Sequence, residues 1–553
     1  QQSFVDYLRS EFISPPLREF SQLEVFHWMI EWATQAYFQP RSAIYESRLM
    51  EAILINSLNR VGREFDERLY MWHGNLPYPT SVSADSIPGS WHLAKRRYLE
   101  RCINLYGDSL ATTGTHTNLS LPDALFEWDY MQLPAVDRTG GISPPVHLDE
   151  FKSEFYIRAA KLLRPFASLF IATSASTPFL AGSENGKPVV YLSNYDSVRN
   201  LTFPNPKELD LPDLYQSLES YSIISYDLVR KGIRFGNNNW TPTRARSFAE
   251  PVERLIDLTS EQLHDLYGQG LFVLGQDQPL EEMINQIEVQ NLLARINLPM
   301  ARVEIRSDDG GNPLELEVAN ITLKQLLLMR IYADREFASS FLYNQNDILR
   351  ARRNEELASK YGLMSLIENP LNKNQMNMRD FLKWTLAEVD PLAKLLDCAD
   401  DLVPLYEMAG GGPNQAEKFR EQVCRELGNY RFDDCAQIPV PLELLTTLAR
   451  ERENQVMRDV ELISETYPAL EDDSHKLGNM LQLCREDVHQ DPLPPIRFRP
   501  RPEAMIEMTY PDKTSEILDL AKKLIEIPSV TAGAEERLEE VYRAATLIYD
   551  YLG

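Results

Sequence analysis

The stretch Thr112 to Pro122, TTGTHTNLSLP, is rich in threonine and alternates polar with apolar residues, the period-two pattern of a strand with one buried face. On such a strand His116, Asn118 and Ser120 project from one side. A face offering imidazole, amide and hydroxyl together reads as one wall of a polar site, or as a solvated sheet face with a hydrogen-bonded histidine. A second short alternating strand, Arg302 to Ser307 (RVEIRS), places Glu304 and Arg306 on one face and stops at Asp308-Asp309-Gly310-Gly311. That pair reads as a salt-bridged surface. It also reads as a carboxylate that holds a divalent cation beside an arginine that grips phosphate.

Working outward, Phe4 to Ser14 reads as a strand stopped by Pro15-Pro16, which makes Glu11 an exposed strand carboxylate. Phe20 to Phe38 has helical spacing, and a basic helix over Trp91 to Tyr106 leads into the threonine-rich strand. Leu148 to Ile171 is helical and ends in ATSAST. Val189 to Leu201 is strand and loop, Leu211 to Arg230 helix, and Gly236 to Arg246 (GNNNWTPTRAR) loop. Beyond the second strand the chain turns helical over Thr322 to Leu342, Met378 to Leu396, Gln415 to Leu427 and Leu442 to Glu465. Ala409 to Asn414 (AGGGPN) lacks the Lys-Ser/Thr of a phosphate-binding loop and reads as a helix-to-helix turn. Asp491 to Pro502, five prolines in twelve residues, excludes helix and central strand and marks an extended linker. Two further helices, Ser515 to Ile527 and Glu535 to Leu552, flank IPSVTAG.

The chain has 553 residues, 43% hydrophobic and 25% charged, with a formal charge of -26. Such a balance excludes disorder and argues against nucleic-acid or membrane-surface partners, both of which need a basic face. Arg199, Arg230, Arg234, Arg244 and Arg246 gather mid-chain, where anion recognition would concentrate. Five scattered cysteines without CxxC spacing give neither a disulfide scaffold nor a thiolate zinc site. No apolar run approaches the ~20 residues of a membrane span. The start, Gln-Gln-Ser, carries no signal-peptide pattern and no initiator Met, so the expectation is a processed chain or a piece of a longer one, with the cytoplasm as compartment.

Tyr98 to Pro122, with a basic helix ending Tyr-Gly before Gly-x-His-x-Asn-x-Ser, resembles the signature of proteobacterial-type glutamate–cysteine ligases. In the same order, LRSEFISPP (Leu8 to Pro16), NWTPTR (Asn239 to Arg244) and RVEIRSDDGGNP (Arg302 to Pro313) are similar to three more stretches of that family. The stretches around ATSASTPFL and YDSVRNL also fit. The resemblance covers about residues 4 to 350 and, with the helices beyond, reaches 490. It implies an α+β fold, a curved antiparallel sheet of glutamine-synthetase-like type with helices behind it and a helical C-terminal region.

The resemblance further implies an ATP-dependent ligase that phosphorylates the glutamate γ-carboxylate and joins it to an amine, cysteine by default. Its cofactors would be ATP and Mg²⁺, with Mn²⁺ acceptable to an imidazole ligand. Glu11, His116 and Glu304 would hold metal, Arg306 and Arg244 would contact ATP phosphates, and Arg199, Trp240, Tyr98 and Asn118 would bind substrate. The chain departs from the family in three places, one of them the position after the basic helix, which lacks the expected glutamine. No Gly-x-Glu-x-Glu strand precedes Glu11, which places that strand upstream of Gln1, and Trp240 stands where the family has tyrosine. Ser515 to Gly553 resembles the opening of M20-type metallopeptidases, giving the expected domains 1–490, linker 491–513 and a peptidase-like start at 514–553. The alternative is a degenerate ligase-like module that binds an amino acid or peptide for an attached peptidase.

Overall fold

Ser3 opens the first element: its hydroxyl accepts from the Asp6 amide at 2.9 Å, an N-cap, and helix α1 runs from Phe4 to Phe12. The strand expected over Phe4 to Ser14 is therefore corrected to a helix. Leu8 and Ile13 pack on Leu54, Leu58 and Val61, so helical spacing of the buried side chains outweighs the β-forming residue types. The helix expected over Phe20 to Phe38 is corrected to two strands, β1 (Ser21–Leu23) and β2 (Ile30–Trp32), paired antiparallel. The turn between them buries Val25, Phe26 and Met29 against Leu99 and Cys102, which is why apolar residues recur there without a helix. Helix α2 (Pro40–Phe65) follows, begun by a proline at its first turn, and was not among the expected elements.

The remaining elements are α3 (Leu93–Tyr106), β3 (Gly114–Leu119), α4 (Asp123–Gln132), α5 (Leu148–Leu163), α6 (Ala167–Ser174), β4 (Phe179–Glu184), β5 (Lys187–Leu192) and α7 (Val198–Thr202). Then come β6 (Ala294–Asn297), β7 (Arg302–Asp309), α8 (Leu314–Ala333), α9 (Arg335–Ser339), α10 (Gln345–Tyr361), β8 (Leu366–Glu368), β9 (Gln375–Asn377) and α11 (Met378–Leu395). The last are α12 (Val403–Ala409), α13 (Gln415–Glu426), β10 (Ile438–Val440), α14 (Leu442–Thr466) and α15 (Lys476–Glu486). These come from a computed structural model that describes residues 3–13, 18, 21–74, 82–89, 93–132, 148–202, 210–216, 220, 294–297, 302–341, 343–428, 437–468 and 476–486. The linker and the two helices expected after residue 490 lie outside the described residues, as does the loop 236–246.

The chain divides into two units, residues 1–120 with 153–491 and residues 121–152 with 492–553. In the second unit, α4 meets the first residues of α5 through an edge contact of Phe126 on Phe151 and a 2.9 Å ion pair between Lys152 and Asp123. The first unit is helix-rich, with small antiparallel sheets. Two are three-stranded, ordered β3-β7-β6 and β10-β5-β4, and two are hairpins, β1-β2 and β8-β9. No helix among the described residues is long and apolar enough to cross a membrane.

Alternation along β3 and β7 sorts their faces. Thr117, Leu119, Val303 and Ile305 are buried, toward α6 and α8, while His116, Asn118 and Arg306 keep partial or full exposure. Behind the strands the core continues through helices. Ile44, Leu49 and Ile53 of α2 pack with Val318 of α8, Val456 and Val460 of α14, and Met480 of α15. A stacked group of rings, Phe166, Phe381 and Trp384, fills the space beside it. The glycine-rich run after α12 is the turn expected: Gly411 sits at φ +116°, and Asn414 caps α13 by accepting from the Glu417 amide at 2.9 Å.

One buried ion pair fixes β7 to α8: Lys324, with a fully buried side chain, meets the carboxylate of Asp308 and lies 5.2 Å from the centre of the Phe170 ring. Replacing Lys324 by Met leaves Asp308 a lone buried charge, so the expected cost is about 3–5 kcal/mol of unfolding free energy. Adding Asp308→Asn to Lys324→Met should recover part of that loss in urea melts. Additive losses would mean that the pair is not coupled.

Candidate functional site

The outer face of the β3–β7 pair is where the chemistry-bearing side chains meet. Asn118 pairs with Glu304 and Thr117 with Ile305, whereas Thr115 pairs with Asp308. His116 therefore stands alone opposite two residues, Arg306 and Ser307, a β-bulge on β7. Such a bulge re-aims side chains locally. Its result here is a tight triad: His116 Nδ1 lies 3.3 Å from Glu304 Oε1, and Arg306 Nη1 donates to the same oxygen at 2.9 Å. Glu304 is buried and Arg306 is partly exposed. Asn118 is exposed on the same face, and Arg295 of β6 stands at the register position opposite Glu304.

Arg199 comes from α7 and bonds the backbone of β7. Its Nη2 donates to the Arg306 carbonyl at 2.9 Å, and Gly114 makes room for it, since a Cβ there would stand 2.5 Å from Arg199 Cζ. Burial pushes the Arg199 guanidinium below its ordinary value, with Asp309 opposing that and Arg306 adding to it. Its Nε has no hydrogen-bond partner among the described residues.

Asp309 closes the end of β7. Its carboxylate accepts from the Ser176 amide (3.0 Å), the Thr177 hydroxyl (2.7 Å) and the Ser197 hydroxyl (2.8 Å). Burial raises this carboxyl above its ordinary value, against the pull of Arg199 and those donors. The small polar run ATSAST ends α6 so that backbone and hydroxyl donors face Asp309.

The structure thus brings together His116, Glu304, Arg306 and Asn118, with Arg199 bonded to the same strand. Glu11, expected on a strand, stands exposed on helix α1 and accepts from the Ser10 hydroxyl at 3.2 Å. Among the described residues no three of His, Cys, Asp and Glu are arranged to hold a metal ion. Tyr98 is on α3 with its side chain outside the description. Trp240 and Arg244, with Arg230, Arg234 and Arg246, lie outside the described residues.

Sequence reading missed the Asp309 cradle. Its signals were the consecutive aspartates after RVEIRS and the serine and threonine of ATSAST, none of which names a partner by itself.

Residues 137–431 match the model of glutamate–cysteine ligase family 2 (GCS2). The chain belongs to that family. It is a glutamate–cysteine ligase-like enzyme, an ATP-dependent ligase of small-molecule substrates. Among solved structures it is similar to a glutamate–cysteine ligase of Francisella tularensis in complex with AMP, at 13% identity and a TM-score of 0.48, covering 92% of this chain and 91% of that one. It is also similar to a bifunctional glutathione synthetase of Pasteurella multocida, at 13% identity and a TM-score of 0.49, covering 84% of this chain and 52% of that one. No curated protein matches it significantly.

In this ligase-like chain, Gly114→Ala tests how tightly Arg199 is seated. The added methyl meets both the guanidinium and the Asp308 carbonyl, an overpacking expected to cost about 1–3 kcal/mol in urea unfolding. Combining it with Arg199→Ala should cost less than the sum of the two single changes. Full additivity would show that the arginine does not depend on the glycine.

Proposed function

We propose that the chain forms a γ-glutamyl amide, with cysteine as the default amine. The observation that carries this reading is the convergence of His116, Glu304 and Arg306 on one oxygen of one carboxylate, at a bulge in paired strands. A carboxylate does not condense with an amine near neutral pH, because oxide would have to leave. Attack of the glutamate γ-carboxylate oxygen on the terminal phosphorus of ATP releases ADP and leaves an acyl phosphate. The amine then attacks that carbonyl and inorganic phosphate departs. Several negative charges must come together, so catalysis rests on positioning and neutralisation.

The described residues fit one divalent cation in part. They offer the His116 imidazole and the Glu304 carboxylate, and a hard cation in such a site completes its shell with water and phosphate oxygens. Bound there, Mg²⁺ or Mn²⁺ would neutralise charge between the phosphates and the incoming carboxylate. Arg306 now occupies the Glu304 oxygen, so a cation at that oxygen and release of Arg306 toward a phosphate are linked alternatives. Arg199 Nε is a buried donor suited to the carboxylate of the acceptor amino acid, and the Asn118 amide is placed to orient a substrate. Tyr98, Trp240 and Arg244 complete the proposed set, the last toward phosphate.

In the same reading, β3, β7 and β6 belong to a larger curved sheet of glutamine-synthetase-like type. Its domains are 1–490, a linker at 491–513 and an M20-peptidase-like start at 514–553, supported by the proline run and by the helix–IPSV–helix pattern. The compartment is the cytoplasm, supported by the unpatterned cysteines.

A second reading, a degenerate module that binds without turnover, is favoured by one observation, that the described residues supply only two metal donors. ADP release with ATP, Mg²⁺, glutamate and a panel of amines including cysteine separates the two readings. The expected result is turnover above background with cysteine among the best amines. Glu304→Ala should lower kcat at least about a hundredfold, the scale on which transition-state electrostatics act. Turnover unchanged in that variant would remove the site, and glutamate binding without any ADP would favour the module.

A further inference from the structure

Behind the strands, on the side away from the Glu304 triad, α2, α8 and α14 bury a second charged web that the ligase reading does not use. Arg48 Nη1 lies 2.6 Å from Glu51 Oε2, and Arg452 forks onto both oxygens of Glu51 at 3.0 and 2.8 Å. Arg48 Nη2 is 3.2 Å from Glu317 Oε2, and its Nε is 3.1 Å from Asp459 Oδ2 without alignment for a hydrogen bond. Both arginines also donate to one backbone oxygen, the carbonyl of Asn312, at 3.1 and 2.8 Å. The last member is His73, whose Nε2 stands 2.8 Å from Glu51 Oε1.

His73 touches the functional strands through the backbone. A Cβ on Gly311 would lie 2.7 Å from His73 Cβ, so the imidazole arm bears directly on the turn that follows β7. Its neighbour Gly74 exchanges hydrogen bonds with Thr113, the residue before β3: the Gly74 amide donates to Thr113 Oγ1 at 2.8 Å and the Thr113 amide to the Gly74 carbonyl at 3.0 Å. One short segment, His73-Gly74, thus holds the start of β3 and the end of β7 together. The bulge bearing His116 and Arg306 lies a few residues along those same strands.

The charges in the web do not balance without a proton. Two guanidinium groups face three carboxylates, Glu51, Glu317 and Asp459, and an unbalanced buried charge is strongly unfavourable. One proton on His73 or Glu317 closes the account, and the two groups hold it as a coupled pair. Glu315, exposed on α8, adds a further negative charge that acts on Arg48 and on Asp459.

We propose that His73 is a positioning residue of the ligase site, clamping the ends of β3 and β7 through Glu51 and the Gly310–Asn312 turn, and that this clamp holds only while the web keeps one proton. The directions of titration agree with the geometry. Burial disfavours charge on His73, but Glu51 and then Glu317 outweigh it, so the ring keeps its proton above the ordinary range. Burial raises the Glu317 carboxyl to about 7, with Arg48 opposing and Glu51 assisting. Both groups bind protons more tightly in the folded chain than in the unfolded one, so their contribution is present on the acid side; that of Glu317 is lost as pH rises to about 7, and that of His73 as pH rises through its raised range. Glu51 sets the opposite edge: Arg48 and His73 overcome its burial and hold it below its ordinary value, so its contribution is lost as pH falls through that lowered range.

The site role rests on the ligase reading, so the test has two separate arms on the full chain. In the first, hydrogen exchange of the peptide over residues 306–314 is followed from pH 6.5 to 8.5, corrected for intrinsic rates. Wild type should lose roughly tenfold in protection, the change that a coupling of about one pKa unit gives. His73→Gln should be unprotected at both ends. Glu317→Gln, which balances two guanidinium groups with two carboxylates and needs no proton, should stay protected throughout. In the second arm, kcat for ADP release should fall with the same pH dependence in wild type and stay flat in Glu317→Gln, with KM for glutamate changing less than about twofold.

Identical exchange profiles in all three proteins would overturn the clamp. Altered exchange with an unaltered pH profile of kcat would overturn its link to the site. Absence of ADP release in wild type would remove the ligase reading, while exchange still decides the clamp.

Discussion

Two neighbouring carboxylates at the end of β7 must be neutralised inside the protein, and most of the surrounding architecture follows from how this is done. Uncompensated, each would cost several kcal/mol to bury. Asp308 is met by Lys324 from α8, and Asp309 by the amide and hydroxyls of Ser176, Thr177 and Ser197. Because consecutive residues on a strand face opposite ways, the two acids tie β7 to two different parts of the chain at once. Helix α8 is held on one side, and the α6 terminus with the α7 segment on the other. Arg199 reaches the strand backbone because α7 is anchored there.

The functional face depends on that anchoring. Glu304 and Arg306 sit only a few residues before the two acids on the same strand, and the bulge at His116 depends on the register those acids fix. A carboxylate shared by an imidazole and a guanidinium is a responsive arrangement, since anything that binds Glu304 redistributes the other two groups. The packing behind it is unresponsive by comparison: Val303, Ile305, Thr117 and Leu119 are buried among helices, where small displacements are costly.

Parts of this were legible in the sequence because a single physical signal dominated locally. Period-two alternation gave β3 and β7 and placed His116, Asn118, Glu304 and Arg306 on one face. Long apolar periodicity gave α11, α13 and α14. The first forty residues were misread because their apolar residues serve tertiary contacts: those of α1 seat it on α2, and the Val25–Met29 turn plugs into α3. Helix α2 hid because its inward face carries Glu46, Arg48 and Glu51, whose partners lie on other elements. The Asp309 cradle and the Glu51–His73 web join residues far apart in sequence, which no local pattern reports.

The pairing of β3 with β7 joins segments roughly 190 residues apart, and so distant a closure belongs to the slow, late steps of assembly. Nothing resembling a half-site can exist during synthesis, because the imidazole emerges from the ribosome long before the acid and arginine it needs. The chemistry proposed for this face requires that ring of chain to be shut.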